Sequence, residues 1–135
     1  WEAELKWLKE NLNSKKMEYW IFYNISAPFG LVRFDKIKSN MKNGNHTLVL
    51  LDIKADHPDM DPIYMTATQA AWQLIEAKLS GEIKVAAAAR VGREDQKLWY
   101  GKIKDLAKTD LGKEPHSLVV PSKLHFTERE FLESL

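Results

Sequence analysis

Short runs of apolar, β-favouring residues, separated by helix-like segments, place the strongest constraint on the fold. Residues 47–53 (TLVLLDI) and 117–120 (SLVV) have no polar alternation, as expected of strands covered on both faces. An aromatic run at residues 19–23 (YWIFY) has the same character. Because these runs alternate with helix patterns and no tight hairpin signal intervenes, the sequence predicts a single α/β domain, whose mixed or mostly parallel sheet carries helices on its faces.

Three helix patterns flank these strands. Residues 34–41 (FDKIKSNM) precede Gly44, a residue type that readily takes the left-handed conformation after a helix. Residues 66–79 open on Thr66 and Gln69, which have the spacing of a capping box, and then carry an apolar stripe. Residues 1–12 place four large apolar side chains on one helical face: Trp1, Leu5, Leu8 and Leu12.

The remaining elements are shorter. Residues 84–89 (KVAAAA) are predicted as a strand, with a helix as the alternative because alanine has a weak strand propensity. Residues 98–103 are predicted as a strand that leads into a helix near residues 104–108. Thr127 and Glu130 repeat the capping-box spacing and predict a last helix. Loops are expected at residues 27–30 and 54–62, where prolines interrupt the patterns.

The composition is typical of a globular protein and excludes some classes of binding partner. Of 135 residues, 44% are hydrophobic and 29% are charged, which suits one domain with a hydrophobic core. The formal charge of +1 provides no basic field, so neither nucleic acid nor an anionic membrane is an expected partner. The absence of cysteine excludes disulfides and thiolate metal sites. There is no signal-peptide pattern and no apolar run long enough to cross a bilayer, so the expected location is the cytoplasm.

Few residue patterns indicate a particular chemistry. The sequence has no glycine-rich phosphate loop, no HExxH helix and no Gly-x-Ser-x-Gly turn. Metal-capable side chains cluster in the loop at 54–62, but their spacing fits no known metal-binding loop, so a solvated loop is favoured and no metal is predicted: Asp56, His57, Asp59 and Asp61. Three histidines at strand edges are candidates either for ligand contact or for a structural role: His46, His116 and His125.

Five segments resemble the diphthine synthases, in that family's order and at about its spacing: 46–54 (HTLVLLDIK), 64–66 (YMT), 89–96 (ARVGREDQ), 110–120 (DLGKEPHSLVV) and 120–126 (VPSKLHF). With the helix at 34–41, the resemblance covers residues 34–135, whereas residues 1–30 do not match. It implies that the chain is the carboxy-terminal one of the two α/β domains that enclose a cofactor in the tetrapyrrole-methylase-like methyltransferases. It also implies a partner, the missing amino-terminal methyltransferase domain.

The same resemblance implies an activity and a set of site residues. Diphthine synthases use S-adenosyl-L-methionine to methylate the modified histidine of translation elongation factor 2 during diphthamide synthesis. Leu51, Val91 and His116 fall where the family contacts this cofactor: Leu51 as an apolar wall with backbone groups, Val91 by packing or through its main chain, His116 from its ring or backbone. Asp52 could orient a group in the cleft or cap backbone. No catalytic base is assigned, because the sulfonium of the cofactor is already activated.

The departures from the family leave two functions open. The family's first domain is not found in this sequence, so the fragment is expected to be inactive as a methyltransferase and to bind the cofactor weakly or not at all. The alternative is an engineered or truncated scaffold that binds a designed protein partner and has no enzymatic activity. Trp72 faces away from the apolar stripe of its helix, and it would then be the binding anchor. Otherwise it covers the edge of the core.

Overall fold

A computed structural model describes residues 21–25, 35–51, 53–54 and 63–135, with the backbone alone at residues 21–25, 53–54 and 63. The helix expected at 1–12, the loop expected at 27–30 and most of the loop expected at 54–62 lie outside these residues. Within the described part of the chain, no helix is long and apolar enough to cross a membrane.

Seven strands form two sheets in the described residues. In chain order they are β1 (Ile21–Ile25), β2 (Thr47–Leu51), β3 (Ile53–Lys54), β4 (Ile63–Tyr64), β5 (Lys84–Ala89), β6 (Lys97–Lys102) and β7 (His116–Val120). The main sheet has five strands in the order β1-β2-β7-β5-β6, and β3 pairs with β4 in a separate two-stranded sheet. Residues 47–51 of the run predicted at 47–53 are therefore neighbours of the run at 117–120 in one sheet, whereas Ile53 lies in the separate two-stranded sheet. The segment at 84–89 is a strand rather than a helix.

The sheet is mixed, as predicted, but the expectation that it is mostly parallel is wrong. Only β1 and β2 run parallel, whereas β7 runs antiparallel to both β2 and β5, and β6 runs antiparallel to β5. The loop at 90–96 returns the chain directly beside β5, which makes β5 and β6 antiparallel without a crossover helix. The insertion of β7 between β2 and β5 accounts for the other two antiparallel pairings.

Four helices cover the sheet: α1 (Asp35–Lys42), α2 (Ala67–Glu76), α3 (Ile103–Leu106) and α4 (Phe126–Glu133). Buried residues of α1, α2 and α3, among them Ile37, Leu74 and Ile103, share one core cluster with Val49 and Leu118 of the sheet. Leu132 of α4 packs on the opposite face, in a smaller cluster with Leu48, Ala86 and Val119. Consecutive apolar residues in β2, β5 and β7 thus face both layers, which is why these strands lack polar alternation.

The alanines of β5 divide between the two layers. Ala87 and Ala89 belong to the cluster beneath α2, whose own buried residues include Ala67, Ala70 and Ala71. Small side chains of both the strand and the helix therefore contribute to the same core cluster.

A capping box was predicted at the start of two helices, correctly for α2 and with the wrong residues for α4. α2 begins after Thr66, whose hydroxyl accepts the Gln69 N–H at 3.1 Å while the Gln69 side chain accepts the Thr66 N–H at 2.9 Å, so the predicted capping box is confirmed. The prediction that Thr127 and Glu130 cap α4 is wrong. α4 begins at Phe126, and Glu128 accepts the backbone N–H of His125 at 3.1 Å.

Candidate functional site

The sheet places the three motif-derived residues at one edge. Leu51 is the last residue of β2, His116 is the first residue of β7, and Val91 follows β5 by two positions. Because β7 runs antiparallel to both neighbours, its beginning lies beside the ends of β2 and β5, and Ala89 pairs directly with His116. We call the sheet edge formed by Leu51, Val91 and His116 the site edge.

The strands are joined less completely at the site edge than in the middle of the sheet. Among the described residues, pairing between β2 and β7 extends as far as Val49 and Leu118, whereas Leu51 still pairs with Ile25 of β1. The last two residues of β2 and the first two of β7 lie beyond the shared ladder. The ends of strands in α/β proteins are common positions for ligands.

The ring of His116 is engaged by the fold on both sides. Its Nδ1 accepts the backbone N–H of Ala67, at the start of α2, over 3.0 Å. Its Nε2 lies 3.0 Å from the carbonyl oxygen of Gly112 and 3.1 Å from that of Lys113. Since Nδ1 acts as an acceptor, the hydrogen-bond pattern assigns the proton to Nε2, which donates to these carbonyls. The backbone and the faces of the ring remain as the means by which His116 could contact a ligand.

The surroundings of His116 favour the neutral form. Burial lowers the pKa of His116 below its usual value of 6.5, and the nearby Arg90 acts in the same direction. The carbonyls of Gly112 and Lys113 and the charge of Glu114 oppose this shift without cancelling it. The site edge therefore presents a neutral imidazole together with the apolar side chains of Leu51 and Val91.

Arg90 is a site-edge neighbour that the sequence analysis did not single out. It lies between Ala89 and Val91, and its backbone takes the left-handed conformation with φ of 53°. Its guanidinium donates to the carbonyl oxygens of Leu111 at 2.9 Å and of Lys113, and it forms an ion pair with Asp95 at 2.8 Å. Nothing in the local sequence pattern indicates these partners, because they are backbone groups of a distant loop.

The other two candidate histidines lie elsewhere. His46 precedes β2, at the end of the sheet opposite to the site edge. Its Nε2 pairs with the buried carboxylate of Glu128 at 2.8 Å and its Nδ1 accepts the Ser122 N–H at 3.0 Å. His125 immediately precedes α4, which packs near that end. The structure therefore does not bring His46 and His125 together with His116.

Several further candidates fall outside the described residues. Asp52 and the proposed loop cluster of Asp56, His57, Asp59 and Asp61 are among them. Within the part of the chain that is described, no group of three or more His, Cys, Asp or Glu side chains could hold a metal ion. Trp72 is described, and its side chain is 54% exposed on α2.

Comparison with known proteins identifies relatives of one kind. No family model matches the chain. A diphthine synthase of Methanococcus maripaludis (strain C5) is 42% identical over 109 residues, covering 76% of this chain and 41% of that protein. A diphthine methyl ester synthase of Bos taurus is 37% identical over 122 residues, covering 73% of this chain and 43% of that protein. The chain therefore spans about two fifths of the length of the curated relatives that it matches.

Solved structures agree with the sequence comparison. A crystal structure of a diphthine synthase superposes with a TM-score of 0.69 at 30% identity, covering 84% of this chain and 43% of that one. An Entamoeba histolytica protein assigned to the same family superposes with a TM-score of 0.74 at 34% identity, covering 85% of this chain and 49% of that one. In sequence and in fold, the chain is similar to the diphthine synthases over part of their length.

Proposed function

We propose that this chain is the carboxy-terminal domain of an S-adenosyl-L-methionine-dependent methyltransferase that modifies the histidine of translation elongation factor 2 on the way to diphthamide. The observation that carries the proposal is the 42% identity over 109 residues with a protein named diphthine synthase. Identity at this level, with the fold match to solved members, supports a shared activity for the whole protein. An amino-terminal methyltransferase domain and elongation factor 2 are the partners that this proposal requires.

The site edge fits the chemistry of this cofactor. The cofactor supplies a methyl group activated by a sulfonium cation, so a pocket for it benefits from apolar walls and from the absence of a nearby free positive charge. Leu51 and Val91 supply apolar surface, and the lowered pKa of His116 keeps that ring neutral. Arg90, the cation that directly follows β5, is bound to backbone carbonyls and to Asp95.

Each residue has a specific role in the proposed site. Leu51 offers an apolar wall and its backbone groups at the open end of the β2–β7 ladder. Val91, which is largely buried, packs against the adenosine part of the cofactor or binds it through its main chain. His116 acts through its backbone and ring face, because both ring nitrogens are already hydrogen-bonded. The chemistry that these residues perform is binding and orientation of the methyl donor, which is much of what such a transfer requires.

The test is to map cofactor binding on the isotope-labelled chain by NMR, with S-adenosyl-L-homocysteine as the probe. We expect the amide signals of Leu51, Val91 and His116 to shift during the titration, even where the affinity is low. Leu50 and Leu51 provide a matched pair, because both are half-buried neighbours in β2 whose side chains point to opposite faces. Leu51→Asn should abolish the shifts while Leu50→Asn retains them. Shifts confined to other parts of the sheet would contradict the proposal.

A second function, recognition of another protein by an engineered or truncated scaffold, is favoured by one observation. Trp72 remains 54% exposed, and exposed tryptophans are frequent anchors of protein interfaces. If this reading holds, Trp72→Ala abolishes binding of the partner without changing the cofactor-induced shifts at the site edge. If the first proposal alone holds, the same substitution leaves both the fold and those shifts unchanged.

A further inference from the structure

Arg90 is a buried cation at the site edge, and all of its hydrogen bonds run to loops. The residue is only 5% exposed. Its acidic partner Asp95, in contrast, has a side chain that is 64% exposed, so water screens much of that attraction. A guanidinium is unfavourable away from water unless its donors are satisfied. The acceptors that bind the guanidinium donors identify the segments that Arg90 holds in place.

The hydrogen bonds of Arg90 run to two parts of the chain, residues 111–115 and Asp95. Nη1 donates to the carbonyl oxygens of Leu111 and Lys113, and the backbone N–H of Arg90 donates to the carbonyl oxygen of Pro115 at 2.9 Å. Nη2 and Nε donate to the Asp95 carbonyl at 2.9 Å and 3.2 Å. Gly112 lies directly against the guanidinium, since a Cβ added there would be 3.2 Å from Nη1. The backbone of residues 111–115 therefore packs closely against the Arg90 side chain.

The same segment holds the ring of His116. The carbonyl oxygen of Lys113 accepts from Arg90 Nη1 and lies 3.1 Å from His116 Nε2. Gly112, which packs on the guanidinium, offers its carbonyl to the same Nε2 at 3.0 Å. Arg90 also joins Ala89, which pairs with His116, to Val91. Two of the three residues of the site edge are thus fixed in relation to one arginine.

We propose that Arg90 is a positioning residue of the site edge, which sets the loop at 111–113 and, through the shared carbonyl of Lys113, the tautomer and orientation of His116. The proposal rests on the proposed function, in which the site edge holds the cofactor. Arg90 itself contacts loops rather than the cofactor, so its effect is exerted through His116 and Val91. Lysine cannot take its place, because one ammonium group cannot reproduce the planar fork that spans Leu111, Lys113 and Asp95.

The experiment compares Arg90→Lys with Arg93→Lys, a matched change at an exposed arginine of the loop at 90–96. Two NMR readouts are taken on the full chain: the ring nitrogen shifts of His116, which report its tautomer, and the amide shifts induced by S-adenosyl-L-homocysteine. We expect Arg93→Lys to behave as the unchanged protein. In Arg90→Lys we expect loss of the single Nε2-protonated tautomer and loss of the cofactor-induced shifts at Val91 and His116.

The outcomes separate this inference from the proposed function. If Arg90→Lys keeps both the tautomer and the induced shifts, the positioning role of Arg90 is wrong while the proposed function stands. If the unchanged protein gives induced shifts only outside the site edge, the proposed function fails, and the His116 tautomer alone then decides whether Arg90 controls the ring. If Arg90→Lys does not fold, Gly112→Ala serves instead, because its added Cβ displaces the loop from the guanidinium. An unchanged His116 tautomer in that variant also overturns the inference.

Discussion

His116 shows how a residue identified by a motif can be tied into the fold by its side chain. Its imidazole joins the first residue of α2 to the loop that precedes β7, through Ala67 on one side and Gly112 and Lys113 on the other. Protonation of Nδ1 would remove the acceptor for the Ala67 N–H and place a charge in a buried position. The neutral ring is therefore the form that the folded state requires.

This requirement predicts a pH dependence of stability. Because the pKa of His116 is lower in the folded state than its usual value of 6.5, the unfolded chain binds the proton more readily. The contribution of His116 to the free energy of unfolding is thus fully present above about pH 6.5 and is lost as the pH falls through the lowered folded pKa. Urea denaturation at a series of pH values should show this decrease, and His116→Gln should flatten it. Parallel curves for both proteins would contradict the assignment.

Burial differences between two leucines of the central strands predict different costs of truncation. Leu118 of β7 is fully buried, whereas Leu50 of β2 is only half-buried, although its run of apolar residues suggests a core position. We expect Leu118→Ala to lower the free energy of unfolding by about 2–5 kcal/mol and Leu50→Ala to lower it by clearly less. Chemical denaturation of both variants under the same conditions provides the measurement. Equal losses would mean that Leu50 is as well packed as Leu118.

Among individual residues, the motifs indicated which residues form the proposed site but not the contacts that hold those residues in place. Leu51, Val91 and His116 come from separate segments, yet the strand order places them at one edge. Arg90 lies within the quoted ARVG segment and was missed, because an arginine after a strand ordinarily faces water. Its partners are backbone carbonyls 21 and 23 residues away, and backbone acceptors leave no signature in a sequence.

At the level of elements, the start of α2 gives a direct test of capping. Thr66 and Gln69 satisfy each other's backbone N–H groups before the helix begins. Thr66→Ala should therefore lower the free energy of unfolding by about 0.5–2 kcal/mol, the range measured for such caps. Thr66→Ser keeps the hydroxyl and serves as the control, with most of the stability retained. Comparable losses for both substitutions in thermal or urea unfolding would show that the hydroxyl is not the stabilising group.

Local sequence patterns could not predict the start of α4 or the relative directions of the strands. Two overlapping capping-box spacings, His125 with Glu128 and Thr127 with Glu130, compete in the sequence. The structure uses Glu128, whose other oxygen pairs with His46, 82 residues away, so a tertiary contact decides the choice. The strands of the main sheet were predicted close to their positions, because their apolar runs are local, whereas the short strands β3 and β4 were not predicted. Their directions depend on which strands become neighbours, and this is not encoded in any single segment.

For the whole molecule, the proposed division of the cofactor site between two domains predicts weak binding by this one. A pocket that loses one wall loses contacts and the exclusion of water. We expect calorimetry to give a Kd for S-adenosyl-L-methionine weaker than about 1 mM, or a binding free energy weaker than about −4 kcal/mol. We also expect no methyl transfer to elongation factor 2 by the chain alone. Micromolar binding would show instead that this half of the site is complete by itself.

The position of β7 in the middle of the sheet also bears on how the chain folds as it is synthesised. β7 is the last strand to be made, yet it is the one that joins β1 and β2 to β5 and β6. Until residues 116–120 emerge from the ribosome, the described strands of the main sheet form two separate pairs, β1 with β2 and β5 with β6, each with an unpaired edge. Pairing over such long sequence separations is slow, and exposed edges invite association with other chains. The domain should therefore acquire its core in one late step, and nascent chains that stop before β7 should depend on chaperones to remain soluble.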